Sequence, residues 1–452
     1  MAQTHSKGYL FEAMPIPKAV MELSIPMVVT SLVMVIYNLA DTFFVGMLND
    51  PVQNAAVTLA YPVMLAFNAV NNLFGVGTSS MMSRSLGRGD HEMVRTSSAF
   101  GFYGAVFSGL AFALACTVFK TPLMHLLGAD STTWQATANY MLWTVSCGAM
   151  PAILNVVQAQ MVRAEGASLH ASIGTMSGCI LNILLDPIFI LPWGLNMGAA
   201  GAGLATFLSN CAACGYFFLL ARIKKGKTFV CLDIRRLKTL SKDVVFGILG
   251  VGIPASIQNL LNVTGSTILN NFTAAYGASA VAAMGVSHKI NMLPMQIALG
   301  FSQGIMPLVS YNYASGNRKR MKDSILFSMG IILPAMLVVT VGYWFGAPSL
   351  IHLFMDNPEI IAYGSSFLRG MCLGMVFLCI DFMAVGVFAS LGMGKYSLTF
   401  ALLRKVVLEI PLLFLLNALF PLYGLAYAQC ITEVILAGAA LVMLVRIFRQ
   451  TA

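Results

Sequence analysis

Five carboxylates lie in stretches where charge is costly. Asp41 sits in YNLADTFFVG, Asp186 in LNILLDPIFI, Asp381 in FLCIDFMAVG, Glu409 in VVLEIPLLF and Glu433 in QCITEVILAG. Each is flanked by apolar residues for most of a helical turn on both sides. An acid at the centre of a membrane helix costs about 2.5–3.5 kcal/mol on insertion scales, so such residues face a bundle interior and mark ion pathways by default. Asn182 and Asp186 are four residues apart and share one helix face, as do Tyr37 and Asp41. Pro187 follows Asp186, removes a backbone donor and predicts a local opening of the helix. Two acids, an amide and a hydroxyl suit a small-cation site: Na⁺ takes oxygen ligands, and a proton takes a carboxylate with a like-charged neighbour. The same residues also suit a buried polar network that ties helices together.

Asp381 stands apart from that pair. Cationic partners for it in the sequence are Arg369, Arg404 and Lys405. Glu409 follows Arg404 and Lys405 by five and four residues, which suggests helical ion pairing, and Glu433 suggests a polar packing contact.

The elements that must position these groups are membrane helices. The chain of 452 residues is 58% hydrophobic and 10% charged, against about 25% charged in a soluble domain. A spanning helix needs about 20 mostly apolar residues. Twelve such segments are expected, near 24–47, 55–83, 97–118, 138–160, 167–191 and 198–222, then near 245–271, 279–312, 323–346, 365–390, 397–419 and 424–447. The start of the chain lacks an uninterrupted apolar run behind a basic segment, so no cleaved signal peptide is expected.

The chain is also written twice. Pro26 answers to Pro254, Gly77 to Gly304, Gly89 to Gly316 and Gly166 to Gly394, all at nearly one offset, close to half the chain. Gly203-Leu204-Ala205 answers to Gly424-Leu425-Ala426 at a slightly shorter offset, so a few residues were lost late in the second copy. Six segments per half make the repeats parallel, related by an axis along the membrane normal, which is a common plan of secondary transporters. The fold class is therefore an all-α integral membrane protein with two six-helix lobes, 1–222 and 244–452, joined by a basic linker at 223–243. The second copy does not repeat the acids, since Leu269 stands at the position of Asp41 and Ile153 at that of Asp381.

Basic residues cluster in alternate loops: Arg84, Arg88 and Arg95, eight from Arg222 through the 6–7 linker to Lys242, Arg318, Lys319, Arg320 and Lys322, and finally Arg446 and Arg449. By the positive-inside rule both termini are cytoplasmic. The net charge of +9 is thus topology charge, not a nucleic-acid surface. The linker reads as a solvated connector with an interfacial helix. Cys211 and Cys214 form a CxxC, but they lie mid-helix without a ligand cluster and read as helix-packing residues.

Asp41, Asn182-x-x-x-Asp186, the LGRGD and YASGN turns, the basic linker and the two six-helix halves together resemble the MATE family of multidrug and toxin extrusion antiporters. The resemblance covers nearly the whole chain and is strongest to the bacterial DinF-like and MepA-like branches. It implies that Pro26, Asp41, Tyr140, Asn182, Asp186 and Thr206 gather around the coupling ion, with Tyr37 beside Asp41 and Pro26 as the kink of the first helix. NorM-like members pair a helix-7 glutamate with the helix-10 aspartate; here that glutamate position is Asn262, while Asp381 is kept. The resemblance therefore favours coupling in the first lobe, with Asp381 and Asn262 as second-lobe candidates.

It also implies a cavity between lobes that opens alternately to the two sides. The cargo would be amphipathic, often cationic drugs, exchanged for Na⁺ or H⁺ in the cytoplasmic membrane of a bacterium by a monomer without a cofactor. Gln158, Met292, Met295 and Gln296 are cavity candidates. A lipid-linked precursor flippase of the same superfamily is the alternative, but it wants a more cationic interior. No HExxH, GxSxG, phosphate loop or His-rich metal set appears, so an enzyme is not expected. The 2–3 loop SLGRGDHEMVR lacks the GxxxDRxGRR-like pattern of major-facilitator carriers.

Overall fold

A computed structural model describes residues 7–450. The first half begins with a short helix α1 (Lys7–Glu12), then α2 (Ile16–Gly46), α3 (Pro51–Gly87), α4 (His91–Val118) and the short α5 (Lys120–Leu126). It continues with α6 (Trp134–Met141), a π-helical stretch (Leu142–Cys147), α7 (Ala149–Ala164), α8 (Ser168–Ile190) and α9 (Ala199–Ile223). The second half contains α10 (Lys242–Ala274), α11 (Ala278–Ala314), α12 (Arg318–His352), α13 (Pro358–Cys372) and α14 (Met375–Ser390). It ends with α15 (Gly394–Leu402), a second π-helical stretch (Leu403–Glu409), α16 (Ile410–Leu419) and α17 (Gly424–Gln450).

Among the described residues, nine helices are long and apolar enough to cross a membrane, and two bent pairs bring the number to eleven. The twelfth segment is α15 with α16, continuous through the second π stretch. The segments expected at 138–160 and 365–390 are each broken, with bends of 45° and 44°. The breaks fall at Gly148 and Gly374, which stand at matching places in the two copies and so belong to the repeat. A Cβ on Gly148 would lie 2.5 Å from the Trp143 carbonyl oxygen, and one on Gly374 3.1 Å from Cys430 Cα. Periodicity alone does not reveal such breaks, because both arms stay apolar.

Several helices outrun their apolar cores because polar caps start them earlier. Asp50 caps α3 by accepting from the Val52 N–H, ahead of Pro51 at the first helical position. Asp90 and Asn317, equivalent positions of the two copies, cap α4 and α12 by accepting from the N–H groups of Met93 and Arg320. Each follows a glycine in the left-handed region, Gly89 at φ 73° and Gly316 at φ 80°. The third turn corrects the repeat register: Gly166 (φ 85°) matches Gly392 (φ 77°), not Gly394, which instead begins α15. Both true partners end a helix two residues before the next one starts, at Ser168 and at Gly394.

The chain packs as two compact units, 29–256 and 1–28 with 257–452. These differ from lobes cut at the linker, because each repeat contributes the first part of its opening helix to the unit built from the other repeat. Within the second unit, Ala19, Val20 and Leu23 of α2 join the core formed by α11, α12, α14 and α17. Gly304 of α11 makes room there, since its Cβ would lie 2.6 Å from Ser24 Cα. Within the first unit, Val244 and Ile248 of α10 pack with Met81 of α3. Gly77 plays the matching part: a Cβ there would lie 2.4 Å from the Ile248 carbonyl oxygen. The glycines at this repeat spacing are thus where helices touch backbone to backbone. Gly77→Val should push α10 off α3 and cost about 1–3 kcal/mol by overpacking. Thermal unfolding in detergent should show a lower midpoint, whereas Gly215→Ala, where nothing lies within 4 Å of the new Cβ, should be neutral.

The linker is not an interfacial helix. It is an extended strap with one 3₁₀ turn (Ile234–Thr239), bound to the 29–256 unit. Glu165 accepts from the Thr228 hydroxyl and the Phe229 N–H, both at 2.8 Å. The Cys231 N–H donates to Ser98 Oγ, the Tyr103 hydroxyl donates to the Leu232 carbonyl, and Arg236 pairs with Glu92. In the other unit, Arg320 gathers the carbonyls of Leu10, Phe11 and Met14, which fixes α1 against α12.

Candidate functional site

The inward face of α8 is a strict stripe. Gly174, Gly178, Asn182, Asp186 and Ile190 are all buried and recur every fourth residue. The two glycines seat α8 on α9: a Cβ at Gly174 would strike the Phe217 ring, and one at Gly178 would lie 3.1 Å from the Ser209 carbonyl oxygen. Close approach at that level carries Asn182 to Thr206, one turn before Ser209 on α9. Oriented with its nitrogen toward Asp186, the Asn182 amide donates to Asp186 Oδ2 at 2.9 Å. Its oxygen then accepts from the Thr206 N–H at 3.0 Å and the Thr206 hydroxyl at 3.3 Å.

The second half of α2 supplies the remaining groups. Tyr37 lies close to Thr206, and Asp41 is near enough to Asp186 for direct electrostatic interaction. Tyr140, the penultimate residue of α6, is buried within electrostatic reach of Asp41, Tyr37 and Asp186. It is held by Gly203 of α9, whose Cβ would lie 3.0 Å from the Tyr140 carbonyl oxygen. Upstream, Asp130 starts α6: its carboxylate accepts from the side chains and N–H groups of Thr132 and Thr133, which holds its pKa at about 2.

One oxygen in each acid, Oδ1 of Asp41 and Oδ1 of Asp186, is buried without a hydrogen-bond partner. An unpartnered buried carboxylate oxygen is an expensive feature that a bound proton or cation would relieve. The two acids thus offer acceptor positions beside an amide and two hydroxyls, a set suited to H⁺ or Na⁺ and short of donors for an anion. Pro187 does not open α8, which runs on to Ile190, although the Ile183 carbonyl loses its helical donor. Pro26 lies within α2, fifteen residues before Asp41, in the part of that helix that belongs to the other unit. Thr206→Val keeps the backbone donor to Asn182 but removes the hydroxyl that also bonds Asn182. Ion-driven transport should fall by roughly tenfold, the effect of losing about 1.4 kcal/mol, as read from initial rates in vesicles.

The other unit holds a second set of charges. Arg404 lies between Asp381 Oδ2, at 3.6 Å, and Glu433, and its guanidinium sits over the Phe382 ring at 5.1 Å. Lys405 donates to both oxygens of Glu409, at 2.7 and 2.6 Å. All five groups are buried. Arg404, Lys405 and Glu409 belong to the second π-helical stretch and are its buried residues. Of the cations named for Asp381, Arg404 is the partner; Arg369 instead donates to the Trp344 carbonyl. Glu433, expected as a packing contact, is an ion-pair member. The helix α10 meets this cluster at Gly265, whose Cβ would lie 3.0 Å from Lys405 Nζ, while Asn262 lies one turn earlier with its carbonyl accepting from Ser266.

The cavity candidates divide between the units. Gln158 is buried near Val162, Phe217 and Lys224 in a small pocket of the 29–256 unit. Met295 packs against the core of the other unit, and Met292 and Gln296 are half-buried on α11. Cys214 donates to the Pro151 carbonyl at 3.3 Å, a packing contact between α9 and α7.

Comparison with known proteins follows the same outlines. The family model MatE matches residues 26–188 and again 254–415, so both repeats match and each match opens on one of the repeat prolines. The chain is 33% identical over 440 residues to the multidrug export protein MepA of Staphylococcus aureus (strain MRSA252), covering 96% of this chain and 95% of that protein. It is 32% identical to the protein of that name from Staphylococcus haemolyticus (strain JCSC1435), covering 96% and 94%. Among solved structures, an outward-facing multidrug resistance MATE family transporter of the MOP superfamily superposes with a TM-score of 0.92 at 25% identity, covering 100% of this chain and 99% of that one. A MOP superfamily transporter from Pyrococcus furiosus, described as having a binding pocket of reverse polarity, superposes with a TM-score of 0.90 at 25% identity, covering 100% and 99%.

Proposed function

The chain belongs to the MatE family, and from that premise we propose that it is an exporter of amphipathic, often cationic compounds, driven by H⁺ or Na⁺ entering on Asp41 and Asp186. The observation that carries this reading is the pair of neighbouring carboxylates, each with a buried, unpartnered Oδ1, beside Asn182, Thr206 and Tyr37. An incoming cation neutralises the pair, and α2, α6, α8 and α9, which hold it, tighten around it. Cargo and ion then disfavour each other's binding, and that coupling is reciprocal. Asp41 and Asp186, which no cation pairs with among the described residues, suit a cationic or neutral cargo rather than a pyrophosphate-linked one.

In the other unit the acids already hold Arg404 and Lys405, so a coupling cation would have to displace a tethered one. This supports coupling through Asp41 and Asp186 rather than through Asp381 and Asn262. The protein works as a multi-pass protein of the bacterial cytoplasmic membrane with both termini inside, on the strength of its basic loops. It carries out transport, not catalysis, needs no cofactor and acts as a monomer.

The test is efflux of a fluorescent cationic dye from proteoliposomes under separate inward H⁺ and Na⁺ gradients. Dye movement under one gradient and not without it is the expected result and identifies the ion. Folded protein that moves no dye under either gradient overturns the reading.

A further inference from the structure

Helices α12 and α17 both pack against α14. An open groove of about 520 Å³ lies between them, at the end where α12 begins and α17 stops. On α12 the groove is lined by Lys322, Leu326 and Met329, one face at spacings of four and three. On α17 it is lined by Leu441, Val445 and Phe448, with Arg449 at the end. Met329 belongs to the buried core and forms the floor, while Leu326, Leu441 and Val445 are 48%, 42% and 46% exposed and form the walls. The apolar trough runs seven or eight residues along each helix, roughly 10–12 Å.

Its mouth is cationic. Lys322 Nζ lies 5.7 Å above the Phe448 ring, and Arg449 follows on the same helix end. Of the neighbouring basic residues, Arg320 is engaged on the α1 carbonyls and Arg318 over the Tyr313 ring. Lys322 and Arg449 are exposed, and their long stems reach from the apolar trough to the headgroup level.

We propose that this groove is a binding site for an anionic phospholipid, with an acyl chain along Leu326, Val445 and Leu441 and the phosphate between Lys322 and Arg449. Charge complementarity selects this occupant. An apolar channel that ends in two cations matches a lipid with a net negative headgroup and repels a cationic drug. In the orientation proposed above, the mouth faces the negatively charged cytoplasmic leaflet, where basic side chains attract acidic lipids. The buried floor distinguishes the groove from the convex helix surfaces around it, which any lipid can cover.

The experiment uses the full-length protein in detergent, without any ion gradient, so its outcome is independent of the transport reading. Phosphatidylglycerol and phosphatidylcholine are titrated in competition, and bound lipid is read by native mass spectrometry. Wild type should retain phosphatidylglycerol over phosphatidylcholine by roughly tenfold or more, since each cation near the headgroup contributes roughly fivefold. Lys322→Gln with Arg449→Gln should erase the preference, and Val445→Trp should lower retention of both lipids by filling the trough. Arg235→Gln with Lys238→Gln, which removes the same charge from the strap, should change nothing. Equal retention of both lipids by wild type overturns the proposal. So does a preference that survives the groove substitutions or is lost equally in the strap variant. Stoichiometric displacement of phosphatidylglycerol by a cationic dye would make the groove a cargo site instead.

Discussion

Asp186→Asn is expected to abolish gradient-driven dye export while leaving the protein folded. The Asp186 side chain is fully buried and already receives the Asn182 amide at 2.9 Å. An amide of the same shape fits the space, keeps an oxygen facing Asn182 and removes a charge whose burial is costly, so stability should hold or rise. What it removes is the negative charge that attracts the ion and the site that takes a proton. The variant is locked in the neutral form that the incoming ion otherwise creates. In the wild type, dye affinity should weaken as H⁺ or Na⁺ is raised, by the reciprocity of coupled binding. In the variant, dye affinity should be low and indifferent to either ion. Fluorescence titration of dye binding at several pH and Na⁺ values reads this directly, and flux in vesicles should drop to the level of empty liposomes. Asp41→Asn should behave alike, because the two acids form one electrostatic pair. A variant that still pumps under a gradient would move the coupling to the Asp381 cluster.

The second large effect is expected on stability. Arg404 is buried against both Asp381 and Glu433. Arg404→Met leaves two buried carboxylates without the cation that pairs them, since Lys405 is held by Glu409, which costs about 3–5 kcal/mol. Thermal unfolding in detergent should show a large downward shift, with loss of folded protein from the membrane. Adding Asp381→Asn and Glu433→Gln removes the stranded charges and should recover most of the stability, because a neutral cluster needs no counterion. That rescue separates a structural tie between α14, the π stretch and α17 from a transport role. If Arg404→Met instead stays stable but fails to transport, the cluster belongs to the coupling machinery.

The sites differ in how far they can be read without a structure. Asp41, Asn182 and Asp186 are legible because a charge in an apolar run has few explanations, and a spacing of four puts two side chains on one face. Thr206 and Tyr140 carry no such signal. A threonine in a helix near Gly203 and a tyrosine near the end of another are ordinary membrane residues, and only resemblance to a family singles them out. The structure adds why they meet: Gly178 and Gly203 let α9 approach α8 and α6 to backbone distance, and Gly174 makes room for the Phe217 ring. Glu433 reads as a mere packing contact because its partner Arg404 lies on a different helical segment, and ion pairing between segments has no periodic signature.

Composition and repeat by themselves determined the helical membrane class, the twelve segments, the parallel duplication and the LGRGD and YASGN turns, because each depends on local chemistry: apolar length and the glycines that turn the chain. Tertiary structure alone decided where helices break, which helix halves pack together and which acids are left without partners. Gly148 and Gly374 become bends, and Gly166 pairs with Gly392, only once neighbouring carbonyls and turns are in place. The opening parts of α2 and α10 each join the unit built from the other repeat, since Gly304 and Gly77 accept backbone contacts that no local rule foresees. Arg404 pairs with Asp381 and Glu433, whereas no cation among the described residues pairs with Asp41 or Asp186. Charge balance in a low-dielectric interior is a sum over distant residues, so only the folded chain can complete it.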